Sequence, residues 1–105
     1  MSEGTRIALV TGAARGIGAA IAERLARDGC DVAILDLDAA ACAETVAKVE
    51  ALGRRALGVA VDVADEGSVE HAIASVEAAL GSPTVLVNNA GVLRERTVAK
   101  MSLED

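Results

Sequence analysis

Ile7-Ala8-Leu9-Val10 runs directly into Thr11-Gly12-Ala13-Ala14-Arg15-Gly16-Ile17-Gly18, so an apolar stretch meets three glycines and then changes its periodicity. The segment from Arg6 to Val10 is nearly continuous in apolar residues rather than alternating, the mark of a strand buried on both faces of a parallel sheet. Beyond the glycines, Ile17, Ile21 and Leu25 recur every four residues, Arg27 and Asp28 fill the last turn, and Gly29 stands at the C-cap position, which predicts a helix. A helix N-terminus presents unpaired N–H groups and a partial positive charge, and glycines let another group come close to that backbone. The junction therefore has the make-up of an anion cradle, although its glycines fall at 12, 16 and 18 and not in the G-x-G-x-x-G spacing. A tight structural turn is the competing reading.

The same alternation continues along the chain. Val32 to Asp36 reads as a second strand ending in a carboxylate, and Cys42, Val46 and Val49 mark one face of a second helix closed by Gly53. Ala56 to Val61 reads as a third strand ending at Asp62-Val63. Val69, Ile73, Val76 and Leu80 stripe a third helix stopped by Gly81, with Pro83 beyond. Val85-Leu86-Val87 is a fourth strand running into Asn88-Asn89-Ala90-Gly91, and Ser102-Leu103-Glu104-Asp105 has the form of a helix start, against a frayed terminus. Strands alternating with helices of this length predict right-handed crossovers and an α/β, Rossmann-type doubly wound parallel sheet in strand order 3-2-1-4. The helix of the crossover from strand three to strand four is expected alone on its sheet face. The fourth strand is expected to form a bare apolar edge.

Composition bounds the possibilities. The chain has 105 residues, 52% of them hydrophobic and 25% charged, which describes one globular domain. It has no Phe, Tyr or Trp, so alanine and valine must fill the core. A formal net charge of −6 spread over mixed-sign helix faces argues against a nucleic-acid partner. No stretch resembles a secretion signal or a membrane span, and the expected location is cytoplasmic. Cys30 and Cys42 lack metal-ligand spacing and read as small buried hydrophobes, and the single His71 reads as a surface residue. No metal site is expected.

Asp36 sharpens the meaning of the glycines. It closes the second strand 18 residues after Gly18, where an acid can accept hydrogen bonds from the hydroxyls of an adenosine ribose. A solvated acid beginning a turn is the alternative for that residue alone.

At this point the chain resembles a known family. Thr11-Gly12-x-x-x-Gly16-x-Gly18 and Asn88-Asn89-Ala90-Gly91 match the two signatures of the short-chain dehydrogenase/reductases, and the resemblance covers essentially the whole chain as the N-terminal part of their single NAD(P)-binding domain. The resemblance implies that Gly12 through Gly18, including Ala14, Arg15, Gly16 and Ile17, wrap a pyrophosphate, and that Asp36, with Leu37 beside it, meets the adenosine ribose. It implies that Asp62 and the Val63 backbone meet adenine, and that Asn89, Ala90 and Gly91 line the ribose near the nicotinamide. Each has a structural competitor: Asp62 equally caps a strand end, and Asn88 and Asn89 equally tie neighbouring strands together. Arg15 is of the type carried by NADP-using relatives, but Asp36 would oppose a 2′-phosphate and Leu37 offers no cation, so NAD is the expected cofactor with NADP as the alternative.

The family's proton transfer depends on a serine and a Tyr-x-x-x-Lys pair, and this chain contains no tyrosine. No catalytic residue is therefore assigned here, and the chain alone is expected to be inactive. The resemblance implies a parent oxidoreductase that interconverts a ketone and an alcohol by hydride transfer, working as a homo-oligomer. The segment Asn89 to Arg96 resembles 3-oxoacyl thioester reductases such as those acting on acyl-carrier protein. The alternative is a non-catalytic nucleotide-binding or interaction half-domain.

Overall fold

The computed structural model describes residues 5–89, so the readings made for Ala90, Gly91 and the segment from Ser102 to Asp105 lie outside the described residues. Within them the order is β1 (Ile7–Thr11), α1 (Gly16–Arg27), β2 (Asp31–Asp36), α2 (Ala39–Ala51), β3 (Ala56–Ala60), α3 (Glu66–Ala79) and β4 (Val85–Asn88). The strands form one sheet in the order β3-β2-β1-β4, every pair parallel, as the alternation predicts. The fold is a Rossmann-type α/β arrangement.

Chain direction explains the two layers. The steps from β1 to β2 and from β2 to β3 both move toward one edge, so two right-handed crossovers place α1 and α2 on the same face. The step from β3 to β4 returns past β1, which puts α3 on the opposite face. Side chains sort accordingly. Ala8, Val10, Val32 and Ile34 pack with Ala22, Ala26, Cys42 and Val49, whereas Ile7, Leu9, Ala33 and Leu35 pack with Val69, Ile73 and Val76. β1 is buried at every position because it has a strand on each side and a helix layer on each face.

Small residues let these layers approach closely in the absence of aromatic rings. At Gly58 in β3 an added Cβ would lie 3.1 Å from Cys42 Cβ and 3.2 Å from Val46 Cγ2, so α2 presses on β3 where a side chain would hold it off. Gly29, Gly53 and Gly81 follow their helices with φ of 97°, 85° and 113°, as expected of helix-stopping residues. Cys30 and Cys42 are free and buried, and His71 is exposed on α3. Among the described residues no helix is long and apolar enough to cross a membrane.

The N-terminal end of the sheet holds a feature that apolar patterning could not show. β2 begins one residue before the apolar run, at Asp31, whose side chain is 2% exposed. Its Oδ1 accepts from Arg54 Nε at 3.1 Å and from the Arg55 N–H at 3.0 Å, while Oδ2 accepts from Arg55 Nε at 3.0 Å. Arg55 also donates through Nη2 to Leu80 O at 3.1 Å, so one carboxylate joins β2, the turn before β3 and the end of α3. Burial pushes the Asp31 carboxyl upward, but the Arg55 N–H and the two guanidinium groups outweigh it and hold the group below the ordinary aspartate value.

Candidate functional site

The strand order reverses between β2-β1 and β4, and register brings the ends level: Thr11 pairs with Leu35 on one side and with Asn88 on the other. Parallel α/β sheets bind ligands outside the carboxyl ends of strands at such a reversal. The glycine-rich loop lies there. Its first turn is pinned to β2, with the Gly12 N–H donating to Leu35 O at 2.8 Å, and Gly12 itself has φ of 64°.

Gly18 then comes back under Gly12. A Cβ on residue 18 would stand 2.1 Å from Gly12 O and 2.8 Å from Asn89 Nδ2, so only a glycine permits this closure. The turn delivers the start of α1 to the crevice with Arg15 as its N-cap in extended conformation, no side chain capping it and no acid in its first turn. The leading N–H groups of α1 and the positive end of its dipole are thus aimed out of the loop without a side-chain acceptor among the described residues. Gly16 has φ of 63° and nothing within 4 Å of where a Cβ would be, so space for a ligand lies over the loop backbone.

Among the described residues, Asp36 is fixed beside this loop by two backbone N–H groups. Its Oδ2 accepts from the Ala14 N–H at 3.2 Å and its Oδ1 from the Asp38 N–H at 3.3 Å. Each carboxylate oxygen keeps lone-pair capacity for a further donor. Ala14 is held from the other direction too: its carbonyl accepts from the buried Thr45 Oγ1 at 3.1 Å. Leu37, next to Asp36, and Ile17, in the first turn of α1, are 73% and 74% exposed, unusual for apolar residues of this size.

The remaining described candidates make bonds and contacts within the protein. Asp62 follows β3, next to the strand of Asp36, since the Val61 N–H donates to Asp36 O at 2.8 Å. Its Oδ1 accepts from the Ala64 N–H at 3.0 Å and its own N–H donates to Ser68 Oγ, so this residue builds the turn into α3. Val63 packs partly against the α3 cluster. Asn88 Oδ1 accepts from Thr11 Oγ1 at 3.2 Å, and Asn89 Nδ2 donates to Gly12 O at 3.2 Å. Both asparagines therefore tie the end of β4 to the end of β1, and through Gly12 the second of them also supports the loop.

Two participants escaped the sequence reading. Asp38 caps α2 by accepting the Ala41 N–H at 3.1 Å and forms an ion pair with Arg15 at 2.8 Å. Its position three residues before Ala41 is a legible N-cap signal. Thr45 sits inside the apolar stripe of α2, and nothing local in the sequence announces a bond to a carbonyl 31 residues away. Cys42, on the same helix, is buried, and burial pushes its thiol up while the charges of Asp36 and Asp38 push it further. Among the described residues there is no group of three or more His, Cys, Asp or Glu placed to hold a metal. A cavity of about 440 Å³ lined by Thr5, Ile7, Asp31, Arg54, Arg55 and Leu80 opens at the other end of the sheet, away from the loop.

Comparison with known proteins agrees with this fold. The family model described as short chain dehydrogenase matches residues 6–105. The chain is 40% identical over 103 residues to an L-2,3-butanediol dehydrogenase of Corynebacterium glutamicum, covering 96% of this chain and 40% of that protein. Among solved structures, carveol dehydrogenase from Mycobacterium avium in complex with NAD matches with a TM-score of 0.78 at 31% identity, over 91% of this chain and 42% of that one. L-sorbose reductase from Gluconobacter frateurii, complexed with NADPH and L-sorbose, matches with a TM-score of 0.83 at 28% identity, over 94% of this chain and 45% of that one. The chain thus spans less than half the length of these relatives.

Proposed function

This chain belongs to the short-chain dehydrogenase family, and we propose on that footing that its crevice is the binding site for NAD(H), with NADP(H) as the alternative. The carrying observation is the clamped Asp36: a carboxylate oriented by the Ala14 and Asp38 N–H groups, next to a helix start whose dipole end is open. In this reading the N–H groups around Gly16 and Ile17 hold the pyrophosphate, and Asp36 accepts from the ribose hydroxyls. Leu37 and Ile17 supply apolar contact. Asp62, Val63, Asn89, Ala90 and Gly91 complete the site as the family resemblance implies.

The bound nicotinamide supplies a two-electron hydride carrier, and the protein around it interconverts an alcohol and a ketone. These 105 residues supply binding and orientation. The family's Tyr-x-x-x-Lys pair, which moves the proton at the substrate oxygen, is not among them. The Asn89 to Arg96 segment makes a 3-oxoacyl thioester the first substrate to assay, in a homo-oligomeric cytoplasmic enzyme.

Calorimetric titration tests the reading. NAD+ should bind at one site per chain, and Asp36→Ala should weaken it about tenfold, the effect of losing charge-assisted hydrogen bonds to the ribose. Absence of binding by NAD+ and NADP+ alike, with the fold intact by circular dichroism, overturns it.

A further inference from the structure

We propose that Asp38 sets dinucleotide selectivity at this site by capturing the Arg15 guanidinium, so that a 2′-phosphate meets carboxylates and no available cation. The inference rests on the dinucleotide reading above. Arg15 Nη2 and Asp38 Oδ2 are 2.8 Å apart, and the Asp38 N–H donates to Asp36 Oδ1, so the two acids and the arginine form one connected group at the ribose end of the site. Asp36 and Asp38 bring two negative charges against the single positive charge of Arg15.

The arrangement has a direction. Asp38 is anchored as the N-cap of α2 through Ala41, whereas Arg15, whose side chain is 71% exposed, has no comparable anchor among the described residues. Arg15 is therefore the mobile member, and Asp38 decides where its guanidinium rests. A phosphate added to the ribose hydroxyl beside Asp36 would have to draw Arg15 away from Asp38, which leaves a second bare carboxylate near its own charge. Removing the Asp38 charge relieves both terms together.

Asp38→Asn separates this role from capping, because asparagine caps a helix about as well as aspartate. Calorimetric titration of the full-length protein with NAD+ and with NADP+, which differ only by the 2′-phosphate, gives the ratio of the two dissociation constants. Asp38→Asn should shift that ratio toward NADP+ by roughly tenfold, of the order expected for one charge near a surface site. Adding Arg15→Gln to that variant should cancel most of the shift. An unmoved ratio in Asp38→Asn, or a shift that survives Arg15→Gln, overturns the proposal while NAD+ binding still stands. Failure of every variant to bind either dinucleotide overturns the proposal together with the reading on which it rests.

Discussion

Gly18 and Gly12 are in contact through a position that only a hydrogen can occupy: a Cβ on Gly18 would lie 2.1 Å from the Gly12 carbonyl oxygen. Gly16 presents the opposite case, with a positive φ but open space where its Cβ would project. Gly18→Ala should therefore cost about 2–3 kcal/mol, because backbone must move to admit a methyl group. Gly16→Ala should cost only about 1 kcal/mol, the penalty of a left-handed conformation without a clash. Urea unfolding of both variants checks the ordering, and a costlier Gly16→Ala would contradict the loop geometry.

Thr45 supports the same loop from below. Thr45→Val keeps the shape but leaves the buried Ala14 carbonyl without its donor, at a cost of about 1–2 kcal/mol. Thr45→Ser retains the hydroxyl and should recover most of that loss. Thermal unfolding of the pair separates the hydrogen bond from packing, since valine removes only the hydroxyl and serine only the methyl: a valine variant as stable as the wild type would contradict the hydrogen bond's contribution.

Cys42 should resist alkylation. Burial raises its thiol and two nearby carboxylates add to the effect, so little thiolate exists at neutral pH and little of it is reachable. Iodoacetamide at neutral pH should leave Cys42 unmodified in the native protein by peptide mass spectrometry and label it after unfolding. Rapid labelling of the folded protein would refute that environment.

The legible and illegible parts of this molecule differ in kind. β1, α1 and β2 could be read because burial imposes periodicity on neighbouring residues, and the reversal at β4 follows from the handedness of crossovers. Gly12, Gly16, Gly18 and Asp36 stand out because glycines clustered between a strand and a helix, with an acid closing the next strand, form a local pattern. Asp31 and Thr45 are different: each makes a polar bond whose partner is set by tertiary packing, and a single polar residue in a helix or at a strand end carries no periodic signal. Asp38 falls between, since its cap on α2 is local and legible whereas its pairing with Arg15 is not. Asp62 and the asparagines show a further limit, since the same residue type at the same strand end serves a turn, a strand tie or a ligand. Coordinates distinguish these by naming the partner, such as the Ala64 N–H for Asp62 or Gly12 O for Asn89.

Acid stability should report Asp31. Burial opposes its ionisation, yet the Arg55 N–H and the Arg55 and Arg54 guanidinium groups prevail, so its folded-state pKa lies below the unfolded value. A depressed carboxylate contributes stability that is fully present above the unfolded pKa of about 3.9 and is lost as pH falls through the lower folded value. Asp31→Asn removes that contribution at neutral pH, where it also weakens the junction of β2, Arg55 and the end of α3. The expected loss is about 1–3 kcal/mol, less than for a fully enclosed pair because Arg55 is 61% exposed and rehydrates. Below about pH 4 the gap between the two proteins should begin to narrow, closing as the wild-type carboxyl is protonated in the folded state at lower pH. Urea midpoints measured from pH 7 down to pH 3 follow this directly: a gap that narrows toward acid identifies the ionised carboxylate as the stabilising species. A gap that stays constant would mean the asparagine merely packs badly.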